Sequence, residues 1–333
     1  MRRLLLIFII IPLFNITAQS LSSNLSKVAG DYAKLYLQPF ADAAGAELNS
    51  GLFFSSMLNT VDENKLNISF SLESAVTVLP ASEQSFNASY NDTVMYNYNG
   101  QYYPVNGQVT VKNAPTIFGS KTPGIANVDI NSSIYILPGI SYPVKEKRTE
   151  QTIGGLYNST YIPIVIPQIE VGSYEGTSLV VRGLLPIKIG SFGKLNFWGF
   201  GLRHNIKHDF KSLPFNLALG IIYQNLSLSD TTNNDVGVLN TFALNLYTSK
   251  SFGIFDVYGG LQFESATLKA NYSYYNNNSQ NPYTVTIDFS LKGKNLLRGV
   301  AGIAVLLGNF YTDLDLNLSN FFSVSLGINY SIL

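Results

Sequence analysis

From Lys65 onward the chain alternates between apolar and polar residues. Leu66, Ile68, Phe70 and Leu72 alternate with Asn67, Ser69, Ser71 and Glu73. Tyr283, Val285, Ile287, Phe289 and Leu291 alternate with Thr284, Thr286, Asp288 and Ser290, and Leu314, Leu316 and Leu318 with Asp315, Asn317 and Ser319. The last segment is the cleanest: Phe322, Val324, Leu326, Ile328, Tyr330 and Ile332 against Ser323, Ser325, Gly327, Asn329 and Ser331. A period of two puts each set on its own face of a strand. Further strands are predicted over Thr177–Ile189 and over residues 194–205, 215–228, 239–249, 255–269 and 296–307. Gly308-Asn309 and Ser319-Asn320 read as tight turns between neighbours. Only residues 22–44 carry a helical period, with Leu25, Val28, Ala29, Tyr32 and Tyr36 recurring at three and four. Pro39 and Gly45 then break it.

Alternation fits a soluble sandwich or barrel as well as a transmembrane barrel. The membrane form turns its apolar set to lipid and its polar set to the lumen. Strand length favours the membrane, because roughly ten residues or more are needed for a tilted span. So does the polar set, which is mostly Ser, Thr, Asn and Gly rather than Lys and Glu. Tyr and Phe stand near many strand ends, where they suit the lipid interface. The chain also stops at the end of a strand, as outer-membrane barrels commonly do. The expected fold is therefore all-β: an antiparallel transmembrane barrel of about 12–14 strands, with a short N-terminal helical hatch. Two places resist this reading. If the C-terminus is periplasmic, residues 271–281 (NYSYYNNNSQN) fall on the short-turn side, unless residues 284–291 form an extracellular excursion. Residues 161–168 (YIPIVIPQ) carry Pro163 and Pro167, which remove two ladder donors and argue against a central strand. They could instead line a hydrophobic pocket or the mouth of the lumen.

Composition supports the membrane reading. Charged residues make up 13% of the 333, about half the usual share, and a surface facing lipid needs none. Lys+Arg and Asp+Glu are both 21, so no basic footprint for nucleic acid exists. There is no cysteine, which excludes a disulfide framework, a thiolate metal site and a lipoprotein anchor. Arg2 and Arg3 precede an apolar run from Leu4 to Phe14, then Thr17 and Ala18. This is the layout of a secretory signal peptide cut after Ala18, too short to span roughly 30 Å of hydrocarbon. The predicted organisation is a signal peptide at 1–18, a helix and hatch-like segment at 19–60, and a barrel at 61–333 with a loop-rich insert at 80–129.

Candidate chemistry is sparse. His204 and His208 are the two histidines. On a strand their spacing puts both on one face, but no third ligand is evident and a metal site usually needs three or four. His204 could serve as a base, yet no G-x-S-x-G nucleophile elbow occurs. No catalytic residue, metal or cofactor is expected, and the N-x-[ST] triplets are not read as glycan sites. Arg182 alternates with Leu179, Val181 and Leu185. Facing lipid it would cost roughly 2–4 kcal/mol, so it should face the lumen, where Glu170 or Glu175 could pair with it.

Pro163, Pro167, Gln168, Gly172, Gly176, Thr177, Val181, Arg182, Leu185 and Pro186 form a spaced pattern. Gly199, Gly201, His204, Ile206 and Lys207 continue it downstream. Tyr36, Leu37 and Pro39, then Gly45, Asn49, Ser50, Gly51, Leu52 and Phe53, precede it. Together these residues resemble an uncharacterised outer-membrane β-barrel family of Bacteroidetes and their relatives, itself distantly similar to outer-membrane long-chain fatty-acid transporters. The resemblance implies a hatch around Gly45–Phe53 that plugs the barrel, and hydrophobic substrate leaving sideways through a wall opening. It implies outer-membrane lipid, lipopolysaccharide, the barrel-assembly machinery and a hydrophobic small molecule as partners. The expected function is passive transport of hydrophobic small molecules. The alternative is a structural or secretion-accessory barrel acting through its surface loops.

Overall fold

The computed structural model describes residues 31–52, 66–137, 140–189, 193–276 and 283–332. The predicted signal peptide and Phe53 lie outside the described residues. The chain forms two units. One contains Phe40–Leu79 and Tyr161–Leu333; the other contains Ser22–Pro39 and Pro80–Thr160.

The larger unit is a closed antiparallel barrel of ten strands. They are β1 (Asn67–Val78), β6 (Tyr161–Tyr174), β7 (Thr177–Ile189), β8 (Gly193–Asn205), β9 (Asn216–Ser229), β10 (Asp235–Phe252), β11 (Phe255–Asn276), β13 (Leu297–Leu307), β14 (Phe310–Leu318) and β15 (Ser323–Ile332). Each pairs with the next in this order, and β15 closes the ring onto β1 from Ile68↔Ile332 to Thr77↔Ser323. Closure leaves no free sheet edge. Ten is fewer than the 12–14 strands expected from spacing. Residues 85–151 make a sheet of their own, and β12 (Tyr283–Lys292) does not enter the ring.

The long strand β11 explains the second point. Phe255–Phe263 pairs with β13, while Thr267–Asn276 pairs with β12. Residues 271–276 are thus strand rather than loop. The β11–β12 hairpin is an excursion that leaves and returns at one end of the ring. That end also carries the 190–192, 230–234 and 319–322 connections. The opposite end carries the tight turns at 175–176, 253–254 and 308–309 and the longer 206–215 connection between β8 and β9.

Side-chain orientation is the reverse of a soluble barrel. On β15, Ser325 and Asn329 are 1% exposed, while Leu326 is 44% and Ile328 55% exposed. The same division holds on β10, where Thr241, Ala243, Asn245 and Tyr247 are buried and Phe242, Leu244 and Leu246 are exposed. The polar phase of the alternation lines the interior and the apolar phase forms the outer surface.

Two local expectations are corrected. Residues 161–168 are part of a wall strand despite Pro163 and Pro167. β6 is held by β1 from Val78↔Tyr161 to Asn67↔Gly172, so over its proline-containing part its other edge can do without donors. The helix α1 (Asp31–Leu48) runs through both Pro39 and Gly45. A Cβ on Gly45 would strike Ala266 of β11, so glycine permits close helix–wall contact instead of ending the helix.

In the smaller unit, β2 (Ser85–Tyr98), β3 (Gln101–Pro115), β4 (Ile125–Leu137) and β5 (Ile140–Gln151) form a four-stranded antiparallel meander. The first half of α1 belongs here. Tyr32 meets Phe86 edge-on at 5.1 Å, and the Tyr36 hydroxyl donates to the Gly154 carbonyl at 3.1 Å. Burial pushes the Tyr157 phenol up to about 12.

Candidate functional site: the hatch and the wall around it

The second half of α1 and the residues after it sit among inward-facing side chains of the barrel; Ala41 to Leu52 are all buried. A helix ends with carbonyls that lack intrahelical partners and with the negative end of its dipole. Here the wall supplies the donors. Arg298 of β13 donates to the Ala46 carbonyl at 2.6 Å and to Ser50 Oγ at 2.5 Å. Arg182 of β7 and Gln224 of β9 donate to the Leu48 carbonyl at 3.3 and 2.9 Å. Gln262 of β11 donates to the Asn49 carbonyl at 2.9 Å, and Arg203 of β8 to the Leu52 carbonyl at 3.4 Å. Two arginines are also ion-paired: Arg298 with Glu264 at 2.9 Å and Arg203 with Glu170 at 2.7 Å. Glu47 bonds Thr77 of β1. Ser50 Oγ lies 2.9 Å from Ser323 Oγ of β15. Gly51 takes φ +62° as the chain turns past the helix end, a conformation glycine adopts without strain.

The wall beside this hatch is incomplete. Among the described residues, ladder pairing between β6 and β7 runs only from Gln168↔Arg182 to Tyr174↔Thr177. Residues 161–167 pair with β1 alone, and residues 183–189 with β8 alone. Pro163 and Pro167 stand on one side of this seam. Pro186 stands on the other, at a β-bulge between Leu184 and Ile187. Leu185 is 87% exposed there.

Residues 1–332 match a family of unknown function (DUF6588). The chain belongs to this family. No curated protein matches. Solved structures with some likeness include OmpT, an outer-membrane protein of Vibrio cholerae, at 9% identity and TM-score 0.25, covering 80% of this chain and 99% of that one. The CymD monoaromatic hydrocarbon channel follows at 10% identity and TM-score 0.24, covering 84% and 92%. The translocator domain of the autotransporter NalP from Neisseria meningitidis stands at 13% identity and TM-score 0.24, covering 83% and 91%. The barrel assignment stands on the strand pairing of this family member itself.

The residues singled out in the sequence fall into three places in this member of the family. Gly45, Asn49, Ser50 and Gly51 lie in the buried segment that the wall donors hold. Pro163, Pro167, Gln168, Arg182 and Pro186 border the seam, with Gln168 and Arg182 as the first pair below it. Gly172, Gly176, Thr177 and His204 lie at the far end of β6–β8 and serve its turn: Glu175 and Gly176 both take positive φ, as a two-residue hairpin loop requires.

The predicted Arg182 pair with Glu170 or Glu175 does not form. Register sets Arg182 opposite Gln168, whereas Glu170 stands opposite Val180, diagonal to Ser178, which faces Arg203. Glu170 accordingly accepts from Ser178 at 2.6 Å as well as from Arg203. Glu175 sits in the hairpin turn, 3.1 Å from His208 Nε2.

The histidines do not share a strand face either. The chain leaves β8 after Asn205 and makes the single helical turn α2 (Ile206–Asp209). His204 bridges Thr177 Oγ1 at 2.9 Å and Asp209 at 2.8 Å. Alternation does not by itself single out Arg203, Arg298, Gln224 and Gln262 as partners of the hatch segment, nor Glu264 as the ion-pair partner of Arg298. Each stands in the polar phase of its strand, and that phase was the available signal.

Proposed function

We propose that the protein is a plugged barrel of the bacterial outer membrane that passes small hydrophobic molecules, with exit through the β6–β7 seam. The inverted orientation of the strands supports the membrane setting: an apolar outer face as extensive as that of β10 and β15 is stable against lipid and not against water. The insert between β1 and β6 and the β11–β12 excursion both leave one end of the ring, while the other end carries three two-residue turns and the 206–215 connection; the two longest connections on one side suit an outer-membrane barrel. Export by a signal peptide at 1–18, insertion by the barrel-assembly machinery and contact with lipopolysaccharide belong to this reading.

The observation that carries the transport reading is the seam. Two neighbouring wall strands that do not pair with each other beyond Gln168 and Arg182, with prolines on both sides and apolar side chains along the border, offer a lateral path to solutes that favour lipid. It lies directly above Gln168 and Arg182, and Arg182 holds the Leu48 carbonyl of the hatch. At the hatch tip, Leu52 packs with Val180, Ile222 and Ala243 in an apolar cluster inside the polar lumen. Passage then requires the hatch to move.

The chain has no cysteine, so the hatch can be locked cleanly. Ser50→Cys with Ser323→Cys places two thiols where hydroxyls stand 2.9 Å apart, within reach of a disulfide. In Gram-negative cells expressing the protein, uptake of a labelled alkyl compound should rise above the empty-vector level, stop on oxidation of the double variant and return with reductant. Uptake unaffected by the lock would refute the gated path.

The alternative is a docking role for the smaller unit. Its support is the exposure of Ile125, Tyr135, Ile140 and Tyr142 on the four-stranded sheet. A surface partner that co-purifies with the whole chain and is lost with residues 80–160 would favour it.

A further inference from the structure

One side of the lumen carries carboxylates in register. Across five neighbouring strands a single ladder row reads Glu73 of β1, Gly327 of β15, Asp313 of β14, Ala304 of β13 and Asp256 of β11. All five residues face inward, and Glu73, Asp313 and Asp256 are 2%, 2% and 1% exposed. Neighbouring strands lie about 4.8 Å apart, so acids on alternate strands recur roughly every 10 Å along the row. Barrel strands tilt by about 35–45°, so a row at right angles to them climbs along the barrel axis. The intervening residues are small. A Cβ on Gly327 would strike the Asp313 carboxylate, so glycine makes room for that carboxylate over β15, on the side of Glu73. Asp315, the next inward residue of β14, is buried as well. Glu73 also reaches the hatch: a Cβ on Gly51 would lie 3.6 Å from Glu73 Oε2.

These charges are not balanced. Among the described residues the buried cations are Arg182, Arg203 and Arg298. Arg203 and Arg298 are committed to Glu170 and Glu264. Arg182 donates to two neutral groups, the Leu48 carbonyl and Gln224. One guanidinium is thus left to set against Glu73, Asp313 and Asp315. The unmet atoms are acceptors: neither Glu73 oxygen has a hydrogen-bond partner, nor has Asp313 Oδ1. Two neutral side chains beside the row are in the same state. Asn329, 1% exposed, donates from Nδ2 to Asp313 Oδ2 at 2.8 Å and leaves its Oδ1 unmet. Turning the amide round would set its oxygen against a carboxylate, so the unmet end is the carbonyl. Ser71 Oγ, on the residue opposite Asn329 in the ladder, is unmet too. Water can supply hydrogen bonds to such atoms but cannot offset the excess charge, and buried carboxylates without counter-ions are costly. A cation meets both needs.

We propose that this row is a cation path through the barrel, which selects small monovalent cations over anions and is closed by the hatch at Glu73. A file of carboxylates draws in cations and repels anions, as acid-lined channels do. Among the described residues no three acids or histidines converge to hold a metal ion, which suits passage from one carboxylate to the next and not retention. The second half of α1 fills the width of a helix, about 10 Å, so its departure opens room for hydrated ions. Arg203 and Arg298 keep their carboxylate partners on the wall when the hatch leaves, so the excess charge of the row persists. The inference rests on the movable hatch of the reading above and adds a second class of solute, one that needs no lateral exit.

The test uses the whole protein in planar lipid bilayers under a KCl gradient. Gln224→Ala with Gln262→Ala removes neutral donors to the hatch carbonyls and leaves every charge in place. Urea below the unfolding range loosens the hatch of the parent in the same way. Either condition should raise conductance. The reversal potential should then report at least about a tenfold preference for K⁺ over Cl⁻, the lower end of the enrichment produced by a cleft of one sign. Glu73→Gln with Asp313→Asn should remove most of that preference while conductance remains. Asp315→Asn provides the same readout in smaller degree if the double variant folds poorly. Equal passage of both ions, the result expected of protonated carboxylates, overturns the inference. So does a preference for Cl⁻, or a preference unchanged by the substitutions. Bilayers that stay closed under both loosening conditions overturn it too. If alkyl uptake still responds to the hatch lock, any of these results removes only the ion path. K⁺ preference without lock-sensitive uptake removes only the transport of hydrophobic molecules.

Discussion

At the scale of single residues, the largest demands fall on the buried arginines. Arg298 is fully buried, at 0% exposure. It serves Ala46, Ser50, Glu264, Asn317 and Ser323 at once. Its removal leaves the Glu264 carboxylate buried without its cation, and breaking one side of a buried pair costs about 3–5 kcal/mol. Arg298→Met should therefore lower the unfolding midpoint clearly. It should also speed hydrogen exchange at residues 46–52 more than in the strands, because the hatch loses its strongest donor. Equal protection of the hatch in both proteins would contradict the role assigned to Arg298. Sequence could place Arg182 in the lumen, since an arginine in the polar phase of a strand has nowhere else to go. It could not choose the partner. Whether Arg182 meets Glu170 or Gln168 depends on a β6–β7 register that a bulge between Val171 and Tyr174 shifts, and alternation is blind to such offsets.

At the scale of elements, period-two alternation located most wall strands, because each of them separates outward-facing from lumen-facing residues. It misjudged the elements whose surroundings are unusual. The second half of α1, Ala41–Leu48, is buried on all sides, so it needs no amphipathic face and keeps Gly45 within the helix. A strand at an open seam needs donors on one edge only, so β6 tolerates prolines.

Closure of the ring at β10–β11 rests on a tighter condition. Gly260 faces Tyr247 across this pair. A Cβ there would meet Tyr247 Cα and Cβ at 2.7 Å and strike the Leu246 carbonyl. Backbone cannot yield as a side-chain tip does, so Gly260→Val should cost at least about 1–3 kcal/mol. On gels, less of the protein should run as the compact, heat-modifiable form. Gly299→Ala on β13, where a Cβ meets nothing within 4 Å, is the matched control and should fold as the parent does. Equal folding of the two variants would show that the β10–β11 contact is looser than described.

At the scale of the molecule, the division into two units decides what can be removed. Strand β1 ends at Val78 and β6 begins at Tyr161, and these two residues are directly paired. Everything between them is, for the barrel, the loop of one hairpin. Long insertions in such loops add little to the closure cost, which grows only with the logarithm of length. Sequence marked the insert as loop-rich at 80–129 because its Tyr, Asn, Pro and Gly content obscures the alternation. The structure carries the smaller unit on to Thr160, since β5, with Lys145, Lys147 and Arg148 among its residues, completes the four-stranded sheet. Replacing residues 80–160 by a two-residue Asn-Gly turn should therefore leave the ten-stranded ring closed, with its heat-modifiable migration retained and its unfolding midpoint shifted by only a few degrees. The first half of α1 loses Phe86 and Gly154 as partners in that variant, so exchange protection should fall at Tyr32–Pro39. It should persist at 46–52, which the wall arginines hold independently. A variant that fails to form the compact band would mean that the smaller unit is required to assemble the barrel. In that case the hairpin description of β1 and β6 is wrong at its root, because their register would then depend on the sheet between them.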